Sequence, residues 1–250
     1  MSLVETLKII VLGIVEGFTE WLPISSTGHM ILVDEIIHLN QPEAFKEVFR
    51  VVIQLGAILA VVIMYFNRLN PFSRQKTSRQ RDATWALWIK IVVACVPAAV
   101  LGLLLDDWME AHLFNAYVVA AMLIIYGVLF ILVENSRRFA NPDLQKVGQI
   151  PIQTAFYIGM FQVLSLVPGT SRSGATILGA MILGCSRGAA AEFSFFLGIP
   201  VMFGASFLKL VKYFLDGNSF TGPQIFYTVF GMLIAFLVSV YSIKFLMNYV

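Results

Sequence analysis

Apolar residues run along this chain in long blocks, interrupted by short polar islands rather than by strict alternation. The blocks predict helices over 4–22, 26–38, 48–66, 83–105, 114–133, 152–167, 175–184, 189–211 and 224–247. The stretches 111–133, 147–171 and 217–243 contain no Asp, Glu, Lys or Arg at all. A membrane-spanning helix needs roughly 20 mainly apolar residues, and these stretches meet that length. The segments 26–38 and 175–184 are too short to cross. Each follows a Pro-containing break, so each reads as one arm of a re-entrant hairpin. Such backbone is tolerated at membrane depth only where protein or water satisfies it.

Composition agrees with this pattern. Only 13% of residues are charged, against about 25% in soluble domains, and the mean hydropathy is +0.82. A large soluble core is therefore excluded in favour of an integral membrane protein. The net charge of +2 is small and carries no nucleic-acid signature. Cys95 and Cys185 lie in apolar helical text and read as small buried side chains rather than a disulfide or metal site. Glu5 and Lys8 interrupt the first block and no small-residue cleavage site follows, so that block is expected to stay in the mature protein.

Loop charges set an expected orientation. Arg68, Arg74, Lys76, Arg79 and Arg81 lie between the third and fourth blocks, and Arg137, Arg138 and Lys146 between the fifth and sixth. Asp106, Asp107 and Glu110 form an acidic turn between these loops. The positive-inside rule places the basic loops in the cytoplasm and the acidic turn outside. The first hairpin then enters from the outer side and the second from the cytoplasmic side. That is an inverted-topology repeat in a single membrane domain, with approximate halves 1–110 and 146–250. Leu12-Gly13-Ile14-Val15-Glu16 can be set over Ile158-Gly159-Met160-Phe161-Gln162. Pro23 to Gly28 then falls near Pro168 to Gly174 with a one-residue slip. The predicted fold is an all-α polytopic membrane protein whose two re-entrant helix hairpins meet at mid-membrane, a known architecture for binding small polar groups.

The polar islands supply the chemistry. Ionisable groups inside apolar segments are costly and point to function. Glu16 and Glu20 are spaced i, i+4, so one helical face carries both. That pair suits a divalent cation, or one acid can act as a base that the other tunes. Pro23-Ile24-Ser25-Ser26-Thr27-Gly28-His29 follows. Its hydroxyls are natural helix N-caps, and His29 lies three residues after Ser26, so imidazole and hydroxyl can share a face. A serine oxygen needs a base to become a nucleophile. The second island is Pro168-Gly169-Thr170-Ser171-Arg172-Ser173-Gly174-Ala175-Thr176. Arg172 offers a planar fork suited to phosphate oxygens, or a salt bridge to Glu16 or Glu20. Ser171, Ser173 and Thr176 add hydroxyls, Gly169 and Gly174 allow close backbone approach, and the following helix N-terminus attracts anions. Together the groups match a phosphate ester or diphosphate. Ser186-Arg187 and Glu192 read as a helix cap and a packing pair. His38 and His112 read as surface residues.

In this order the motifs resemble the undecaprenyl-diphosphatase family, also called the bacitracin-resistance proteins. The family pattern of Glu or Gln, three residues, then Glu is matched by Glu16 and Glu20. Its Ser-Ser-Thr-Gly-His element is Ser25 to His29, and its Pro-Gly-x-Ser-Arg-Ser-x-x-Thr element is Pro168 to Thr176. The text from Ser186-Arg187 through Glu192-Phe193-Ser194-Phe195 is similar too. Family members usually continue into one more hydrophobic helix, whereas this chain stops at Val250. The resemblance implies hydrolysis of undecaprenyl diphosphate to undecaprenyl phosphate and inorganic phosphate. That reaction recycles a lipid carrier for cell-wall synthesis and underlies bacitracin resistance. It implies a bacterial inner membrane location, a site facing the periplasm or outside, and a divalent cation, Mg2+ or Ca2+. The partners implied are the polyprenyl diphosphate substrate and membrane lipids, with room for a homodimer and no nucleic acid.

On this reading Glu16, Glu20, Ser26, His29 and Arg172 are catalytic, with Glu16 and Glu20 also the metal ligands. Ser25, Thr27, Gly169, Ser171, Ser173, Gly174 and Thr176 bind substrate. Ser26 is the preferred nucleophile and His29 its proton partner, with direct attack by water as the other route. A type 2 phosphatidic acid phosphatase is excluded, because neither Ser171-Arg172 nor Ser186-Arg187 is followed by a histidine at the required spacing. A transporter or flippase of a phosphorylated isoprenoid lipid is the alternative function.

Overall fold

The computed structural model of the protein describes residues 2–113, 116–136 and 142–249. Its order is α1 Leu3–Thr19, α2 Ser26–Ile37, α3 Glu43–Val52, α4 Gln54–Met64, α5 Phe66–Leu69, α6 Ser78–Leu113, α7 Ala116–Glu134, α8 Ile152–Val163, α9 Arg172–Ile182, α10 Arg187–Leu215 and α11 Gly222–Tyr249. Among the described residues there is no β-strand. Every predicted block is found as helix, but the boundaries move in informative ways.

The third block begins earlier than its apolar run, at Glu43 behind Pro42, and breaks at Ile53 into two helices. The sixth ends as α-helix at Val163 and closes with a 3-10 turn, Leu164–Leu166. The expected acidic turn is a correction. Asp106, Asp107 and Glu110 lie within α6, which runs unbroken for 36 residues. Aspartate and glutamate are tolerated in a helix, and no Gly or Pro after Gly102 stops it. Arg137 and Arg138 fall outside the described residues.

Among the described residues, five helical stretches are long and apolar enough to cross a membrane, namely Glu43–Met64, Ser78–Leu105, Tyr117–Glu134, Arg187–Leu215 and Gly222–Tyr249. Large apolar side chains on them are exposed, including Leu103, Leu104, Ile131 and Leu132. Surfaces of this kind suit hydrocarbon rather than water.

The chain divides into two compact units. The first comprises Met1–Leu22, Ser26–Met64 and Gly198–Tyr249. Its core joins Ile9, Met30, Phe45, Phe49, Ile53 and Ala235. Small residues let its helices approach closely, as membrane helices require. A Cβ on Gly13 of α1 would stand 2.8 Å from Ile234 Cβ of α11, and one on Gly17 would stand 2.6 Å from the Ala235 carbonyl oxygen. Ser239 Oγ donates to the Gly17 carbonyl at 3.3 Å. The end of α2 is pinned by Asp34. Its carboxylate accepts from Leu39 N–H at 2.9 Å and pairs with Arg50 at 3.2 Å and Lys46 at 3.5 Å.

The second unit comprises Pro23–Ser25 and Tyr65–Leu197. In it α8 packs on α6, with Gly159 directly against Ala94, and α9 packs on α8, with Gly179 against Phe161. Gly169, at φ 87, makes the turn before α9 where its backbone meets Val119 of α7. Only a residue without Cβ is comfortable there.

Candidate active site

In the first unit the acids stand as their spacing predicts. Glu20 caps α1 in a helical conformation and its N–H donates to the Glu16 carbonyl at 3.0 Å, so the two residues sit one turn apart. Glu16 is 0% exposed and Glu20 8%. The chain then turns and α2 begins at Ser26. Ser26 Oγ donates to Glu20 Oε2 at 2.5 Å in a buried hydrogen bond. A short bond from hydroxyl to carboxylate is of the strong, charge-assisted kind. The acceptor of the Ser26 hydroxyl is therefore Glu20, one of the two acids that the sequence offers as a base. His29 is half-buried in the same first turn of α2, and Thr27 is exposed.

Ser25 adds a feature that the sequence does not reveal. Its φ is 63, in the left-handed region, and its side chain is buried. A non-glycine residue held there stores strain of about 1 kcal/mol or more, and such positions cluster at functional sites. The strain sits one peptide bond before the hydroxyl of interest.

In the second unit α9 starts at Arg172. Ser171 is its N-cap, accepting from Gly174 N–H at 3.1 Å. Ser171 Oγ also bonds Ser173 Oγ at 3.0 Å. Arg172 Nη1 donates to the Ser194 carbonyl of α10 at 2.9 Å. Thr176 Oγ1 bonds Ser194 Oγ at 2.6 Å and donates to the Arg172 carbonyl at 2.9 Å. The structure thus brings Ser171, Arg172, Ser173 and Thr176 together in one buried polar cluster, and holds it with a residue from another helix. Ser194, which holds this cluster, was not singled out in the sequence. Its sequence signals are a hydroxyl within apolar text and a place in the family-like stretch Glu192 to Phe195, and the fold supplies its bonds to Arg172 and Thr176. Gly174 is buried, and a Cβ there would lie 3.4 Å from the Pro23 carbonyl oxygen, so the turn before Ser26 packs at the start of α9.

The remaining expectations resolve simply. Ser186 caps α10, accepting from Ala189 N–H at 3.2 Å. Glu192 pairs with Arg68, whose guanidinium lies over the Phe196 ring at 5.7 Å, and Arg187 pairs with Glu134. His38 and His112 are exposed, His112 stacked on Trp108. Cys95 and Cys185 are free thiols.

The donor set can be tested for a cation. Among the described residues no group of three or more His, Cys, Asp or Glu converges. Glu16 and Glu20 nevertheless offer two buried hard oxygen donors, and Mg2+ is commonly held by one or two carboxylates together with substrate phosphates. The residues fit such an ion.

Comparison with known proteins decides the family. The model of the bacitracin resistance protein BacA family matches residues 9–250. The chain belongs to the BacA family. Relatives within it are named undecaprenyl-diphosphatase. One from Streptococcus thermophilus (strain ATCC BAA-250 / LMG 18311) is 59% identical over 99% of this chain and 86% of its own length. One from Streptococcus mutans serotype c is 57% identical over 100% of this chain and 89% of its own. One from Enterococcus faecalis (strain ATCC 700802 / V583) is 56% identical over 97% of this chain and 88% of its own. As a BacA protein with five apolar helices of spanning length, this is a multi-pass membrane protein.

Proposed function

We propose that this protein hydrolyses undecaprenyl diphosphate to undecaprenyl phosphate and inorganic phosphate, which recycles the lipid carrier of cell-wall synthesis and supports bacitracin resistance. The single observation that carries the chemistry is the buried 2.5 Å hydrogen bond from Ser26 Oγ to Glu20 Oε2. It joins a nucleophile to a base inside apolar surroundings, as covalent catalysis requires.

Ser26 Oγ attacks the terminal phosphorus as its proton passes to Glu20. The bond from that phosphorus to the bridging oxygen breaks, and undecaprenyl phosphate departs. Water then hydrolyses the phosphoserine to inorganic phosphate. Arg172, held by Ser194, and the positive end of the α9 dipole neutralise charge on the transferred group, because phosphoryl transfer depends mainly on positioning and electrostatics. A divalent cation on Glu16 and Glu20, Mg2+ or Ca2+, would neutralise further phosphate charge. His29, Ser25, Thr27, Gly169, Ser171, Ser173, Gly174 and Thr176 line the same reaction as proton relay and binding groups. The BacA family model spans both islands, which supports one reaction served by both.

The halves form an inverted-topology repeat with two re-entrant hairpins on this reading. Its support is a single constant offset along the chain. That offset relates Ser26 to Arg172 at the starts of α2 and α9, and the buried face Ile9, Leu12, Gly13 and Glu16 to Ala155, Ile158, Gly159 and Gln162. The inner membrane is the compartment and the site opens to the outer face, as the basic loops favour. Phosphate release from farnesyl diphosphate by wild type and Ser26→Ala tests the reaction, and equal turnover in the two would refute the serine's role.

A further inference from the structure

Gln162 lies on the buried face of α8 with Ala155, Ile158 and Gly159 and is 1% exposed. Its backbone carbonyl is used, accepting from Ser165 Oγ at 2.7 Å. Its side-chain amide is not: neither Oε1 nor Nε2 has a hydrogen-bond partner among the described residues. A buried amide without a partner is destabilising, and an apolar side chain of the same length would avoid that cost. Such a group is explained when it binds something in the working protein.

Its surroundings indicate what. One turn earlier on the same face, Gly159 packs directly on Ala94 of α6. The next residue of α6, Cys95, lies within electrostatic reach of Arg172. The stretch of α6 that receives this face therefore lies within electrostatic range of the guanidinium proposed to hold phosphate. Thr170, two residues before Arg172, is a second buried group whose hydroxyl has no partner among the described residues. At the constant offset of the proposed repeat, Gln162 stands where Glu16 stands in the first half. The replacement of acid by amide has a physical sense. A carboxylate beside the diphosphate would repel it, whereas a neutral amide offers two donors and no charge.

We propose that Gln162 is a further substrate-binding residue, its amide N–H groups donating to phosphoryl oxygens of the diphosphate beside Arg172. The proposal rests on the diphosphatase reading above. In this division the acidic half of the repeat receives the cation and the half with Arg172 and Gln162 receives the anion.

The test uses the full chain in detergent, with phosphate release from farnesyl diphosphate and thermal unfolding measured for wild type, Gln162→Met and Gln162→Glu. Gln162→Met is expected to unfold at or above the wild-type temperature while its KM rises tenfold or more. Gln162→Glu is expected to show a KM that climbs with pH as the new carboxylate ionises. Gln162→Met with wild-type KM and kcat, or with stability and activity lost in proportion, overturns the proposal. If Gln162→Met does not fold, Gln162→Glu decides, and a KM profile over pH identical to wild type overturns it. Absence of phosphate release from wild type sinks the diphosphatase reading itself, whereas normal wild-type release beside an unaffected Gln162→Met sinks only this assignment.

Discussion

Ser26 donates a hydrogen bond to Glu20, and that contact shapes the expectations at the level of single residues. Ser26→Ala removes the attacking oxygen, and Glu20→Gln removes the base while keeping the shape. Each should lower phosphate release by about a hundredfold or more, the range typical of a positioned acid–base group, with unfolding temperatures close to wild type. Arg172→Ala should cost about 3–4 kcal/mol of transition-state stabilisation, a loss of several hundredfold in kcat. Arg172→Lys should recover only part of it, since an ammonium cannot reproduce the bidentate fork. The acids, hydroxyls and arginine were legible because ionisable groups stand out against apolar text. The acceptor of the Ser26 hydrogen bond was less legible. A spacing of three residues places His29 near Ser26 on α2. However, Ser26 heads its helix, and side chains in a helix tilt towards the N-terminus, back to the turn that carries Glu20. Ser194 was hidden for another reason: its bonds to Arg172 and Thr176 come from a separate helix, and no local pattern encodes them.

The long helices were readable from apolar run length, whereas the short α5 Phe66–Leu69 and the break between α3 and α4 were not, and the helix ends were less legible. α6 continues through Asp106 and Glu110, which polarity alone would assign to a turn. α3 starts at Glu43, well before the apolar run, and its Phe45, Val48, Phe49 and Val52 face the core while Glu43 and Glu47 face out. The Asp34 cluster was invisible too, because Lys46 and Arg50 reach Asp34 from the next helix. Asp34→Asn should destabilise the first unit by roughly 3–5 kcal/mol, as when one partner of a buried ion pair is removed, and thermal unfolding in detergent checks it. Gly17→Val should likewise lower the unfolding temperature. Its Cβ would meet the Ala235 carbonyl oxygen at 2.6 Å, and overpacking costs about 1–3 kcal/mol. A Gly17→Val protein as stable as wild type would contradict the close α1–α11 packing.

For the molecule as a whole, family and membrane character were both legible, because the BacA motifs and the apolar helices are carried in the linear text. The central claim is that a BacA protein with this buried hydroxyl–carboxylate pair performs chemistry on a lipid diphosphate instead of merely carrying it. Cation dependence belongs to the same scale. If Glu16 and Glu20 hold a divalent ion, chelation should abolish turnover and Mg2+ or Ca2+ should restore it, without unfolding the protein. The most direct measurement is phosphate release from undecaprenyl diphosphate by the purified protein in detergent, with Mg2+ and with chelator, for wild type beside Ser26→Ala. Cation-dependent release by wild type, lost in Ser26→Ala, is the predicted result. Lipid that binds wild type while no phosphate is released would contradict the account and point to a carrier.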